Sequence, residues 1–168
     1  MVRENILMES GTVKRSLIQA LPAVALCFSV VAWGSEDQTS LAVYQPVLSG
    51  EFKEMLRNGD LAKGENQFMR KCSSCHDHKK DGGNGKGPHL WNVMGRKAGT
   101  YPGFEYSDAM RSSGHVWTYA TLNYYLTRTD RAVPGRIMDF RGIRKDSQRA
   151  DLLLFMRTLN DNPPPLPE

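Results

Sequence analysis

The sequence predicts an all-α fold in which three helices are joined by long irregular loops. Three observations carry that expectation. Apolar residues recur at helical spacing in three separate windows, no window alternates apolar and polar residues as a strand would, and the stretch between the first two helices is rich in glycine and proline. A chain of 168 residues built this way is short of core unless something large and apolar fills its centre.

The chain opens on a segment that reads as an export signal, residues 1–34. Lys14 and Arg15 precede the uncharged run SLIQALPAVALCFSVVAW, and Ala32 and Gly34 place small residues where cleavage would occur. Cleavage after Gly34 puts the protein in the periplasm. The alternative is an uncleaved anchor over residues 17–33, holding it to the periplasmic face of the inner membrane. That run is at the short limit of the roughly 17–25 residues a spanning helix uses, and Gln19 and Pro22 weaken it. Membrane contact is expected only if it is retained.

Residues 35–59 are polar at their start and interrupted by Pro46 and Gly50, which reads as a linker or extension with one helical turn near Phe52 to Leu56. Residues 60–161 form the main domain. Its first helix fits GDLAKGENQFMRKC, with Asp60 as N-cap and Leu61, Glu65, Phe68 and Cys72 on related turns. Residues 77–104 form a wrapping segment. Thr118 caps a second helix through YATLNYYLTR, with Leu122, Tyr125 and Leu126 as its apolar stripe, ending near Asp130 and Pro134. The last helix fits DSQRADLLLFMRTLND, with Asp146 as the cap and Leu152, Phe155, Met156 and Leu159 on one face. The tail, residues 162–168, is proline-rich and expected to be polyproline-like and solvated.

Composition excludes more than it selects. Hydrophobic residues make up 40% and charged residues 24%, and a mean hydropathy of -0.48 argues against a multi-span membrane protein. The net charge of +4 is compatible with acidic protein partners. No basic run is interleaved with aromatics, so nucleic-acid binding is not expected.

The chemistry-bearing stretch is RKCSSCHDHKKDGGNGKGPHLW, residues 70–91. A structural zinc site wants four ligands, and the only other cysteine, Cys27, falls in the export signal. A redox dithiol wants its pair opening a helix after a strand, whereas this pair closes a helix. The remaining reading is covalent haem attachment: Cys72 and Cys75 are spaced to reach two vinyl groups, and His76 is carried beneath the iron. One haem c would also supply the missing core. His78 is too close to His76 to reach the opposite face of such a ring, and His89 and His115 sit beside aromatic loop residues. Met94, Met110 and Met156 fit core packing at least as well as ligation. Met138, in the turn-forming VPGRIMDF, is presented by a loop and is the expected second axial ligand.

Six segments in order, GENQFMRKCSSCH, GKGPHLWNVMGRKAG, PGFEYSDAM, VWTYATLNYYL, VPGRIMDFRGI and RADLLLFMRTL, resemble the class I cytochromes c, especially the mitochondrial type and its bacterial relatives. The resemblance implies helices and loops wrapped around one haem, with the first and last helices crossing and Gly64 and Phe68 meeting Leu152 and Phe155. It implies that the Pro88 carbonyl accepts the ring N–H of His76, that Tyr125 lies beside the Met138 sulfur, and that Arg96, Tyr106 and Trp117 hold a haem propionate. There are departures: Met110 replaces an asparagine near the propionate, Arg128-Thr129 replaces an asparagine-proline pair and so leaves loop stiffness in doubt, and Asp130 and Ile137 replace lysines at the haem edge. Residues before Asp60 have no family counterpart.

The function this implies is a one-electron carrier, not an enzyme, expected to be a monomer and to work in a respiratory or photosynthetic chain. Lys71, Lys86, Arg131, Arg136, Arg144 and Lys145 would steer acidic faces of redox partners, such as a cytochrome bc1-type donor, an oxidase, a reaction centre or a dehydrogenase. The alternatives are a haem-c enzyme or gas-binding sensor with a displaceable Met138, and a cytochrome subunit of a periplasmic dehydrogenase or oxidase.

Overall fold

A computed structural model describes residues 39–168, so the expected export signal lies outside the described residues. Among those described there are six helices: α1 Gly50–Arg57, α2 Leu61–Lys71, α3 Asp108–Ser112, α4 Tyr119–Thr127, α5 Thr129–Ala132 and α6 Asp146–Thr158. The all-α expectation holds, the only β pairing among them being a single antiparallel bridge between Lys97 and Val116.

The three long helices form where the sequence places them. Asp60 caps α2, its side chain accepting from the Lys63 N–H, and Arg70 and Lys71 complement the dipole at the other end. Thr118 and Thr121 bond reciprocally across the first turn of α4 as a capping box. In α6 the capping position falls on Lys145, without a side-chain bond. Asp146 is the first helical residue instead and accepts from Arg149 Nη2 at 2.6 Å.

The frame is the crossing of α2 on α6. A Cβ on Gly64 would lie 2.0 Å from the Asp151 carbonyl oxygen and 3.0 Å from Phe155 Cβ, so only a bare α-carbon allows this approach. Phe68 then stacks on Phe155 with ring centres 5.4 Å apart, the Asp60 N–H donates to Asp151 Oδ1 at 2.8 Å, and Gln67 Nε2 donates to the Gln148 carbonyl at 2.9 Å.

Two stretches depart from their sequence reading. The linker expected over residues 35–59 is anchored to the core at three points of its described part. Ser49 caps a two-turn helix whose Phe52 and Leu56, one turn apart, bury against the core, and α1 packs on α6 alone among the helices. Each of those side chains contributes about 1.5–3 kcal/mol by burial. Leu41, 1% exposed, inserts separately. The tail is docked and not free: the Pro164 carbonyl accepts from Arg157 Nε and Tyr119 Oη at 2.8 and 3.1 Å, and the Pro167 carbonyl from Arg57 Nη1 at 2.6 Å. Leu166 packs against the core beneath. Proline's carbonyl has lost no accepting power, and the ring cannot use it for a helix of its own.

Gly64→Ala is the sharpest test of this frame. It should cost about 3 kcal/mol or more through overpacking against backbone, read as a lower guanidinium midpoint of the holoprotein.

Candidate functional site

A cavity of about 540 Å³ opens where the C-terminus of α2, the loop after it, α4 and the loop between α5 and α6 meet. Cys72 is the C-cap of α2. The N–H groups of Cys75 and His76 both donate to the Cys72 carbonyl, at 3.0 and 2.9 Å, and this tight turn keeps both sulfurs and the imidazole on the cavity wall. Burial pushes the Cys72 thiol up to about 11, against the pull of Lys71, which is the wrong direction for a dithiol redox site.

The chain returns to this turn through Gly87, whose N–H donates to the Cys75 carbonyl at 2.8 Å. Pro88 follows, and its carbonyl accepts from His76 Nδ1 at 2.6 Å. A carbonyl only accepts, so Nδ1 carries the proton and Nε2 keeps a free lone pair, the tautomer that binds a metal. Burial holds His76 below the usual imidazole range. The Pro88 bond opposes this and Arg96 adds to it, so the ring is neutral near pH 7.

The opposite wall is the loop bearing Met138. A Cβ on Gly87 would lie 2.4 Å from His76 Cε1 and 2.6 Å from Met138 Cε. The imidazole and the thioether therefore converge on one cradle that any side chain at position 87 would fill. Met110 and Met156 also line the cavity, but the atoms nearest that cradle belong to His76 and Met138. Met94 is buried in the core, and His78 packs on Phe68 and Phe155. His89 is bound to Tyr101 and the Lys79 carbonyl.

Arg96, Tyr106, Trp117 and Tyr125 all line the cavity. Backbone bonds from Gly95 N–H to the Trp117 carbonyl and from Trp117 N–H to the Arg96 carbonyl hold Arg96 and Trp117 side by side. Arg96 donates through Nη2 to the His89 carbonyl at 2.8 Å and lies over the Tyr101 ring, while Nη1 is buried without a partner. A buried guanidinium nitrogen left this way is a seat for an anion. Trp117 meets His115 and Tyr125 edge to face at 4.3 and 5.0 Å. Burial raises the Tyr125 phenol to about 12, opposed by Arg136, so it stays a neutral donor.

These residues fit an iron porphyrin with an acidic substituent. Two thiols stand at one wall, an imidazole and a thioether face one cradle, an unpartnered guanidinium nitrogen waits for a carboxylate, and the volume lies within the roughly 300–1,000 Å³ of ligand sites.

The family model for cytochrome c matches residues 61–160. The chain belongs to the cytochrome c family. Members of the family carry one covalently bound haem c and act as electron carriers, and this chain is a monohaem cytochrome c of that kind. It is 35% identical to a cytochrome c homolog of Bradyrhizobium diazoefficiens over 135 residues, covering 80% of this chain and 70% of that one. It is 45% identical to the cytochrome c2 of Rhodomicrobium vannielii over 60% of this chain and 79% of that one, and 41% identical to the cytochrome c of Chlamydomonas reinhardtii over 59% and 88%. The Bradyrhizobium match is longer than the stretch from residue 61 to the C-terminus, so it takes in part of the segment before α2.

The basic residues divide. Lys71, Lys86 and Arg136 stand at the cavity with Ile137, whose side chain is 72% exposed. Arg131 is turned away, its guanidinium stacked over Tyr124 at 4.7 Å. Arg144 and Lys145 are exposed where the chain enters α6. Sequence reasoning missed Gly87 and gave Thr129 no role of its own. The first precedes Pro88 in a glycine-rich stretch and looks like any other turn residue, and the second is visible only as a departure from the family pattern.

His115 gives the site a pH signature. Its imidazole is 7% exposed, and burial lowers it to about 4 from an ordinary 6.5. The unfolded chain binds a proton there that the folded one refuses, so the contribution is whole above pH 6.5 and is lost as pH falls toward 4. Unfolding free energy should drop by about 3 kcal/mol across that window, and His115→Phe should remove that part of the slope, measured by denaturation at fixed pH values.

Proposed function

We propose that Cys72 and Cys75 carry the two thioether links of the haem, that His76 and Met138 are its axial ligands, and that the chain shuttles electrons between exported redox proteins in the periplasm. The single observation behind this assignment is the convergence of His76 and Met138 on the Gly87 cradle, in the cavity that both cysteines line. When bound, the haem supplies a one-electron iron couple held by two protein ligands.

The chain's own residues do the rest. Pro88 fixes the His76 ring so that Nε2 keeps one orientation in both oxidation states. A thioether donor in an apolar surround favours the less charged, reduced state. Arg96 Nη1 would donate to a carboxylate that would otherwise be buried unpaired, and Trp117 and Tyr106 close the same corner. Lys71 and Lys86, exposed around Ile137, offer a basic rim with an apolar centre to an acidic partner. Such a rim speeds encounter and leaves release fast. Export is supported by the apolar run after Lys14 and Arg15, and a respiratory or photosynthetic donor and acceptor are the partners this chemistry suits.

Met138→Ala tests the assignment. The sulfur-to-iron charge-transfer band of the oxidised protein should vanish and the reduced protein should bind carbon monoxide, with the haem still covalently attached by intact mass. A band that survives the substitution contradicts Met138 as ligand. Lys86→Glu should slow the second-order reaction with an acidic redox protein about tenfold at low ionic strength, and the difference should shrink as salt is raised, read by stopped flow.

A further inference from the structure

The segment before α1 lies against the helix that leads into the Met138 loop. Leu41 is fully buried, and its N–H donates to the Ala132 carbonyl at the end of α5, at 2.8 Å. Tyr124 of α4 donates through its hydroxyl to the Thr39 carbonyl at 2.7 Å, and its ring packs on Tyr44 at 4.9 Å and beneath Arg131 at 4.7 Å. Residues 39–44 therefore touch both α4 and α5.

From α5 the contacts continue into the loop. The Thr129 side chain, 0% exposed, donates its hydroxyl to the Phe140 carbonyl and accepts from Arg136 Nε at 2.6 Å. The Phe140 N–H donates in turn to the Met138 carbonyl at 3.1 Å. Both residues that flank Met138 at a distance of two are thus tied to one buried hydroxyl.

A helix of four residues with no side-chain cap does not hold itself. Thr129 also lacks the fixed φ that proline would supply at that position. The order of α5 must come from what packs on it, and Leu41 is the residue that reaches it from outside the family domain.

We propose that residues 39–44 are a strap that fixes α5 and, through Thr129, the Met138 loop, so that a segment preceding the cytochrome domain sets how readily the methionine side of the iron opens. The inference rests on Met138 being the ligand. Leu41, Tyr124 and Thr129 are positioning residues in it, acting through the loop and not on the iron.

The alternative is that the segment adds only global stability, and the two differ in which opening they affect. In the full-length oxidised holoprotein, imidazole competes with Met138, and the charge-transfer band reports the competition. Tyr124→Phe, which keeps the ring, should raise the apparent imidazole affinity about fivefold, as expected for one lost hydrogen bond. Leu41→Ala should raise it about thirtyfold or more. The control is Leu56→Ala, equally buried but on α1, which packs on α6 and not on α5. It should lower the guanidinium midpoint as Leu41→Ala does and leave imidazole affinity within about twofold of the parent. Unchanged affinity in Tyr124→Phe and Leu41→Ala, or an equal rise in Leu56→Ala, overturns the strap alone. A parent protein without the band overturns the Met138 assignment and the strap with it.

Discussion

The approach of Gly64 to the Asp151 carbonyl is the contact on which the remaining structure depends. With no Cβ at that point, α2 settles onto the backbone of α6, and Phe68 reaches Phe155 on the next turn. The direction of α2 is thereby fixed, and with it the place where the helix ends. Cys72 caps that end, so the turn that aligns Cys75 and His76 begins at a position set by a glycine two turns earlier. The same α6 face supplies Met156 to the cavity wall. The site is in this sense a consequence of one helix crossing.

A second constraint is electrical. The cavity has mainly apolar walls, with Lys71, Lys86 and Asp139 exposed at its rim and Arg136 bonded to Thr129, and the other polar groups facing it are neutral or wait for a partner. His76 is kept neutral by burial, Tyr125 is kept protonated, and Arg96 Nη1 is the buried cationic donor without a mate. A low-dielectric surround of this kind makes every charge in it count for more. It suits a centre whose charge changes by one while its ligands stay where they are.

How much of this could be read beforehand follows from range. The helices α2, α4 and α6 carry their own signals, since Asp60 and Thr118 are caps and the stripe Leu152, Phe155, Met156 and Leu159 repeats at the helical period. The C-x-x-C-H motif names its chemistry within a few residues, and the turn around Met138 marks only a methionine presented by a loop. Phe52 and Leu56 give only a single helical turn of signal and Leu41 stands alone, and all three bury only because α5 and α6 already offer them a surface. The tail is hidden for the same reason, because its proline carbonyls find Arg57, Arg157 and Tyr119 from distant parts of the chain. Gly87 and Thr129 matter through what stands opposite them, which no local window contains. The cap of α6 shifts by one residue because Asp146 has a closer use in pairing with Arg149.

One imidazole and one thioether of this chain, those of His76 and Met138, are proposed to close the two faces of the haem iron. X-ray absorption at the iron edge of the oxidised holoprotein tests it most directly. A single sulfur scatterer is expected, with the remaining nearest scatterers nitrogen, unchanged in number on reduction. A shell of nitrogen alone, or an oxygen in place of the sulfur, would contradict it.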